Sequence, residues 1–332
     1  MALPEERIKE FVQMFRSIEE EVGRVIVGQR DIVQKVLTSF FAGGHVLLEG
    51  APGLGKTLMV KTLSNTLGMN FKRIQFTPDL MPSDIVGTQI LADGAGGRHF
   101  EFKQGPIFAN IVLADEVNRA TPKTQSALLE AMEEHQVSVF GETYKLESPF
   151  FVLATQNPIE IEGTYPLPEA QLDRFLFKLL VRPPTAVELT EILARTTTES
   201  RYEAKTILPI DRSQEVVEKM KSLVRQVILA PPLSTYIARL ITAATPGDEQ
   251  GTVPEASQYF RYGPGPRGAQ ALTLGAKVNA LLDHRANVSA EDIIDIVLPA
   301  LRHRCLLNFQ AEAENITADQ ILAKVLQTTP KR

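Results

Sequence analysis

The chain has 332 residues, 44% of them hydrophobic and 23% charged, a composition typical of folded globular proteins with room for one large or two ordinary domains. Its net charge of −5 does not favour a standing nucleic-acid-binding surface, and no apolar run approaches the roughly 18 residues of a membrane span. The single cysteine, Cys305, excludes an internal disulfide and, with an N-terminus unlike a signal peptide, predicts a cytoplasmic protein.

The N-terminal segment has an amphipathic pattern. Glu and Lys residues separate apolar side chains that recur at helical spacing, namely Ile8, Phe11, Val12, Phe15 and Ile18. This spacing predicts a helix. A short apolar run, Val25–Val27, then ends in a turn at Gly28.

A glycine-rich loop follows the next apolar segment. Residues 45–49 are typical of a buried strand, and those after them match G-x-x-x-x-G-K-[ST], with a helical pattern beyond. Glycines let backbone N–H groups close around phosphate oxygens, and the helix dipole favours the anion. The motif predicts a nucleotide-binding loop of Gly50, Ala51, Pro52, Gly53, Leu54, Gly55, Lys56 and Thr57. We expect Lys56 to reach the β- and γ-phosphates of a nucleotide and Thr57 to offer its hydroxyl to Mg²⁺.

Further strands and two hairpins are predicted downstream. Residues 71–76 alternate like a strand, and the glycine cluster at 94–97 predicts a hairpin near 85–103, with a second near 136–146. Between them, Thr121 and Pro122 are typical of a helix start, and that helix should run to about Glu134. The alternation of strands and helices predicts a parallel α/β sheet.

Two adjacent carboxylates, Asp115 and Glu116, follow a buried apolar strand. Open α/β sheets bind ligands at the carboxyl ends of their strands. There Asp115 suits Mg²⁺ coordination through water, and Glu116 suits orienting or deprotonating an attacking water. A kinase-like site would position a substrate hydroxyl instead.

Asn157 follows the apolar strand at 150–154 and precedes Pro158. If this strand lies beside the one that ends in Asp115, Asn157 can hydrogen-bond the γ-phosphate or the attacking water. The Asn-Pro pair is also a common turn signal.

Two arginines have competing interpretations. Arg174 either pairs with Asp173 at the end of a surface helix or acts as an arginine finger on a neighbouring subunit's γ-phosphate. Arg267 follows the stiff turn Gly263–Pro266, and is either a solvated residue at a helix start or a guanidinium directed back at the nucleotide.

The pattern changes at Pro183 and Pro184. Thr185 and Glu188 form a capping box, and helical spacing continues near 186–198, 213–228, 234–244, 267–284 and 290–304, with a last helix opening at Thr317. We predict an α/β nucleotide-binding domain with its N-terminal helix over 1–184 and a smaller all-α domain over 185–332.

The ordered set of motifs resembles the AAA+ ATPase pattern, in which Walker A, Walker B, sensor 1, an arginine finger and sensor 2 follow one another. More narrowly, the chain resembles the MoxR family from about residue 10 to its C-terminus. The stretches that carry this resemblance are Val27–Gln29, Gly50–Thr57, Arg73–Asp84, Ala114–Ala120, Ala154–Pro158 and Leu167–Phe175. The family's small residues before sensor 2 appear here as Gly263–Pro266, a mild departure that bears on Arg267.

This resemblance implies a five-stranded P-loop core with a helical lid, which binds ATP and Mg²⁺ and assembles into a hexameric ring. It implies that Val27 and Gly28 belong to the nucleotide site, that Arg174 reaches the neighbour's ATP, and that both hairpins face the central pore. MoxR proteins are regarded as chaperone-like, acting on partners that often carry von Willebrand factor A domains. Arg119 is either an interface arginine or a solvated surface residue.

Three other functions fit the same core motifs. One is a nucleotide-dependent scaffold or switch in which hydrolysis is incidental, and another is a magnesium-chelatase-type subunit. The third is a DNA-directed motor, against which the acidic net charge and the lack of a DNA-reading module count.

Overall fold

The computed structural model describes residues 3–94, 97–157, 164–197, 202–247 and 251–331. Its strands are β1 (His45–Glu49), β2 (Phe71–Gln75), β3 (Gly87–Gly94), β4 (Gly97–Gln104), β5 (Ile111–Asp115), β6 (Gln136–Val139), β7 (Glu142–Lys145), β8 (Phe151–Gln156), β9 (Phe175–Leu180), β10 (Phe260–Tyr262) and β11 (Leu306–Leu307). Its α-helices are α1 (Glu5–Val25), α2 (Arg30–Ala42), α3 (Lys56–Leu67), α4 (Pro82–Val86), α5 (Pro122–Glu134), α6 (Glu169–Leu172), α7 (Ala186–Thr196), α8 (Ser213–Gln226), α9 (Pro231–Ala243), α10 (Pro254–Tyr259), α11 (Gly265–Leu282), α12 (Ala290–Ile294), α13 (Val297–Leu301), α14 (Phe309–Ala313) and α15 (Ala318–Thr328).

A five-stranded parallel sheet, in the order β2-β5-β8-β1-β9, organises the first half of the chain. Strand β5 is buried at every residue, as expected for a sheet covered on both faces. Because side chains alternate along a strand, Leu113 belongs to the buried core shared with α1, α2 and α3 on one face, and Val112 belongs to the core that includes α5 on the other. The carboxyl ends of β1, β5 and β8 therefore bring Glu49, Asp115 and Gln156 to one edge.

The structure confirms the predicted sheet, the N-terminal helix and both hairpins. The helix is α1, whose apolar face is buried, and the hairpins are β3–β4 and β6–β7. Phe102 of the first hairpin stacks on Tyr144 of the second at 4.0 Å between ring centroids. The two hairpins are therefore packed against each other.

The C-terminal half is helical, as predicted, with two differences in detail. The single helix predicted over 290–304 is wrong, since α12 ends at Ile294 and α13 begins at Val297. Pro299 explains the break, because its ring would clash with the carbonyl of Asp295, four residues earlier. The short antiparallel pair β10–β11 also lies within this helical region. Buried residues of α8, α9 and α11 share one core with α1 and α2, and the boundary at residue 184 stays a prediction. Among the described residues, no helix has the length and apolar character needed to span a bilayer.

His45, the first residue of β1, is a buried titratable group that joins the sheet to α5. The backbone N–H of Val152 donates to its Nδ1 at 3.0 Å, so Nε2 carries the proton and donates to the carbonyl of Met132 at 3.1 Å. Burial lowers the pKa of His45 from 6.5 to about 4. The neutral ring is therefore the form that the fold accepts.

This lowered pKa makes stability depend on pH below neutrality. Between the unfolded value of 6.5 and the folded value of about 4, the unfolded chain binds more protons, so acidification favours unfolding. We expect His45 alone to lower the free energy of unfolding by about 2 kcal/mol between pH 7 and pH 5. Denaturant unfolding at both pH values, compared with His45→Asn, isolates the effect because the other titrating groups are common to both proteins. An equal pH dependence in the two proteins would contradict the assignment.

Candidate functional site

The predicted phosphate-binding loop lies between β1 and α3. Gly53 and Gly55 have φ angles of 80° and 77°, and no atom lies within 4 Å of where a Cβ would stand on either, so their backbone conformation rather than crowding requires glycine. Helix α3 begins at Lys56, which leaves its first backbone N–H groups facing the loop. The Lys56 ammonium donates to the carbonyl of Gly50 at 2.7 Å, and burial lowers its pKa. This backbone conformation is compatible with phosphate binding, and the role of each loop residue stays a prediction.

The two residues predicted to hold Mg²⁺ lie together. Thr57 Oγ1 donates to Asp115 Oδ2 at 3.4 Å, although the two residues are 58 positions apart in sequence. The second carboxylate oxygen accepts from Thr155 Oγ1 at 2.6 Å, which orients the carboxylate. A hydroxyl and a carboxylate are oxygen donors of the type that Mg²⁺ prefers, so this pair fits the ion.

Sequence reasoning missed a polar group on β2 that contacts both carboxylates. Arg73 Nη2 lies 2.7 Å from Asp115 Oδ2, and Gln75 Nε2 donates to Glu116 Oε2 at 2.8 Å. Arg119 Nη1 lies 3.0 Å from the same Glu116 oxygen. Arg73 and Gln75 are two positions apart and so lie on the same face of β2, which pairs with β5 so that Gln75 stands opposite Asp115. The alternating pattern of residues 71–76 was the sequence signal that places these two polar side chains on one face. Arg119 therefore contacts Glu116, and its role at an interface stays a prediction.

Glu116 itself has a left-handed backbone, with φ at 57°. Its N–H donates to Thr155 Oγ1 at 2.8 Å, which ties the end of β5 to β8. Asn157 follows β8 and is buried, and Asn118 Nδ2 donates to its carbonyl at 3.4 Å. Strand β5, which ends in Asp115, and strand β8, which Asn157 follows, are neighbours, as the sensor 1 interpretation requires. Pro158, the next residue of that motif, lies outside the described residues.

A cavity of about 310 Å³ adjoins the phosphate loop. Val27 and Gly28 line it on one side and α7 on the other, and much of its surface is apolar. Gln29 Nε2 donates to the carbonyl of Leu54 at 3.0 Å and so joins this segment to the loop. The size and lining of the cavity suit the flat ring of a nucleotide base.

Helix α7 was predicted from the sequence as a helix but not as a wall of this cavity. Its residues Leu189 and Ile192 line the cavity. Glu188, besides capping α7, accepts two hydrogen bonds from Arg182 at 2.7 and 2.8 Å, while Arg182 also donates to the carbonyl of Gly28 at 3.2 Å. The Arg182 contact lowers the pKa of Glu188 to about 2. The ion pair therefore ties α7 to the Val27–Gly28 segment around the cavity.

Gly28→Ala is expected to weaken ATP binding. The φ of Gly28 is 72°, a conformation that costs a residue with a Cβ about 1–2 kcal/mol, and the added Cβ would lie 2.4 Å from the Glu188 side chain. Displacing the Glu188 carboxylate disturbs its ion pair with Arg182, which ties α7 to the Val27–Gly28 segment beside the cavity. A fluorescent ATP analogue should bind several-fold more weakly, whereas Gly23→Ala, with open space around its Cβ and a place within α1, should bind as the wild type does. Unchanged affinity in Gly28→Ala would separate this cavity from the nucleotide.

Arg174 lies at the opposite edge of the sheet from the phosphate loop. It directly precedes β9, beside the start of β1, whereas the loop follows the end of β1. The five residues of β1 span roughly 16 Å. Arg174 pairs with Glu133 at 2.8 Å and lines a cavity together with Gly44, which precedes β1. The Arg174 side chain is therefore too far from the phosphate loop of its own chain to contact it.

Arg267 lies in the same place, and its role at a nucleotide stays a prediction. It occupies the first turn of α11 and contacts Glu133, with its Nε 3.6 Å from Asp173 Oδ2. The structure does not direct this guanidinium back at the nucleotide site of its own chain. It is also not merely solvated, because it shares Glu133 with Arg174. Sequence reasoning missed Glu133, since nothing in the spacing of α5 relates it to either arginine.

Two family models and several known proteins match this chain. Residues 45–177 match the model for the ATPase family associated with various cellular activities, and residues 255–325 match that for the AAA lid domain. The chain is 45% identical to the uncharacterized protein YeaC of Bacillus subtilis, over 92% of this chain and 91% of YeaC. It is 42% identical to the chaperone MoxR1 of Mycobacterium tuberculosis, over 93% of this chain and 80% of MoxR1.

Among solved structures, the fold has a close counterpart. A crystal structure of a presumed ATPase from Cytophaga hutchinsonii superposes with a TM-score of 0.89 at 40% identity, covering 98% of this chain and 97% of the other. The matched relatives span the phosphate loop, the carboxylate edge and the helical C-terminal region alike. The chain belongs to the MoxR family of AAA+ ATPases.

Proposed function

We propose that this protein hydrolyses ATP to ADP and phosphate at sites completed by a neighbouring subunit of a ring. In each site, Lys56 and the phosphate loop hold the phosphates and Glu116 orients or deprotonates the attacking water. Asn157 hydrogen-bonds the γ-phosphate or that water. Thr57 and Asp115 would hold Mg²⁺, whose positive charge would neutralise negative charge on the phosphate oxygens.

One observation carries the proposal: the two halves of the catalytic set lie at opposite edges of one sheet. The phosphate loop, Asp115 and Glu116 are at the carboxyl ends of the strands, and Arg174 and Arg267 are beside the amino ends. Head-to-tail contact between identical subunits brings such unlike edges together, and a rotation that closes makes a ring. The arginines would then face the neighbour's γ-phosphate, where positive charge stabilises the transition state. A ring size of six follows from the family.

We propose that the substrate on which this ATPase acts is a protein. MoxR1 is named a chaperone, and we propose a related role here, in the cytoplasm, of remodelling or maturing partners that carry von Willebrand factor A domains. The packed hairpins β3–β4 and β6–β7 are the surfaces proposed to face the pore. Phe100 and Phe140 on them are 73% and 72% exposed, so each hairpin presents an aromatic side chain to a partner.

The ring is tested by measuring Mg²⁺-dependent ATPase activity per subunit against protein concentration. A shared site requires activity per subunit to rise with concentration and to level off as rings form. Sedimentation with a non-hydrolysable ATP analogue should detect the assembly over the same range. Activity per subunit that stays flat down to monomeric concentrations would contradict a shared site. A ring whose turnover leaves a bound partner unchanged would favour the scaffold alternative.

A further inference from the structure

The Glu133 carboxylate contacts both arginines of the proposed shared site. Its Oε2 lies 2.8 Å from Arg174 Nη2, and its Oε1 contacts Arg267 Nη2. The two guanidiniums come from segments 93 residues apart, one preceding β9 and one opening α11. A single carboxylate therefore makes them converge on one point.

A second carboxylate, that of Asp173, binds a third arginine beside this pair. Arg304 is buried, with 4% of its side chain exposed, and its Nε lies 2.8 Å from Asp173 Oδ1. Its Nη2 also donates to the carbonyl of Asp173 at 3.0 Å. Because Asp173 is adjacent to Arg174, the backbone that carries Arg174 is held by a buried partner. The cluster of Glu133, Asp173, Arg174, Arg267 and Arg304 has a formal charge of +1, since three cations face two carboxylates.

Within the described part of the chain, the contacts with Glu133 and Asp173 engage only some of the arginine donors. A guanidinium has five N–H donors, and each arginine reaches Glu133 through one nitrogen, with Arg267 Nε also near Asp173. As far as the described residues show, the other donors of Arg174 and Arg267 are left for phosphate oxygens. These side chains are 28% and 42% exposed, as a surface that receives another subunit requires. Without the carboxylate between them, two neighbouring cations would repel and adopt other rotamers.

We propose that Glu133 is a positioning residue that holds Arg174 and Arg267 as one convergent pair for the neighbouring subunit's nucleotide. The inference rests on the proposed shared site. Glu133 contacts no reacting atom in this arrangement and acts through the two arginines. Its loss should lower kcat and leave the KM for ATP nearly unchanged, because the phosphate loop and the base cavity lie at the other edge of the sheet.

Steady-state ATPase kinetics of Glu133→Gln, at protein concentrations where wild-type activity per subunit has levelled off, are the first part of the test. We expect kcat to fall at least about tenfold, since a misplacement of about 1 Å can cost about a hundredfold. Glu133→Asp keeps the charge on a shorter side chain and should recover part of the rate. Glu134→Gln removes an adjacent exposed carboxylate from the same helix and should keep the wild-type rate. Wild-type kcat in Glu133→Gln would overturn the proposal.

The second part uses mixed rings and separates positioning from misfolding. Glu133→Gln has an intact nucleotide half and a weakened arginine half, whereas Glu116→Gln has the reverse. When the two are combined equally before ATP is added, about a quarter of head-to-tail sites join two intact halves. Activity should therefore exceed that of the Glu133→Gln subunits measured alone. A mixture without this gain would mean that Glu133 does not act on the neighbour's site.

A parallel mixture of Arg174→Ala and Glu116→Gln tests the shared site itself. If this mixture recovers activity and the Glu133→Gln mixture does not, the role of Glu133 is refuted and the ring proposal stands. If neither recovers activity, the shared site is refuted, and the inference about Glu133 falls with it.

Discussion

Glu116→Gln should bind ATP about as tightly as the wild type and hydrolyse it at least about a hundred times more slowly. The carboxylate lies at the carboxyl edge of the sheet, next to Asp115, where Gln75 and Arg119 hold one of its oxygens. An amide of the same shape can fill that position but cannot accept a proton from water. The change therefore removes the chemical step and leaves the phosphate loop intact.

Two variants control this measurement. Glu10→Gln removes an exposed carboxylate from α1, away from the site, and should hydrolyse ATP at the wild-type rate. Lys56→Ala should instead weaken binding itself, because the ammonium that faces the loop is lost. Binding is measured with a fluorescent ATP analogue and turnover by phosphate release. Wild-type turnover in Glu116→Gln would show that another group serves as the base.

The parts of the site that are local in sequence were predictable. The phosphate loop and the Asp115–Glu116 pair each follow an apolar strand, and both the motif and the strand are visible within about ten residues. The parallel sheet follows from the alternation of elements, and chemistry at its carboxyl edge follows from that fold. The structure adds that Thr57 and Asp115 are in contact.

The parts that depend on strand order and on helix placement were not predictable in the same way. Arg73 reaches Asp115 only because β2 is the neighbour of β5, and spacing along the chain does not specify which strands pair. Likewise, the capping box at Thr185 predicts where α7 begins, but the packing of α7 beside the cavity next to the phosphate loop depends on tertiary contacts. Arg267 illustrates this most clearly, because a stiff turn before a helix predicts a fixed guanidinium without predicting which edge of the sheet it faces.

Glu133 is a residue of the proposed ring interface that the sequence motifs do not identify. Sequence motifs identify Arg174 and Arg267 one at a time, as separate elements of a familiar pattern. The structure joins them through one carboxylate on α5, the helix that begins just after the Glu116 turn and Arg119. Helix α5 therefore connects the nucleotide edge of a subunit with its arginine edge, two surfaces that would contact different neighbours.

Arg174→Ala should lower kcat by about a thousandfold, the lower end of what arginine fingers contribute. The side chain lies beyond reach of its own phosphate loop, so its removal should not weaken ATP binding to the isolated subunit. Activity per subunit should stay low at every protein concentration, including those at which the wild-type activity has risen. Phosphate release across a concentration series, with analogue binding measured in parallel, separates the two effects.

The matched control for this prediction is Arg7→Ala, which removes an exposed arginine from α1, a helix that Ala favours. It should follow the wild-type concentration dependence. If Arg174→Ala also did so, the charge that stabilises the transition state would have to come from within one chain. Arg73 would then be the first residue to substitute, because its guanidinium already contacts Asp115 at the nucleotide edge. The distance between the two edges of the sheet thus makes Arg174 the residue whose loss distinguishes a shared site from a complete one.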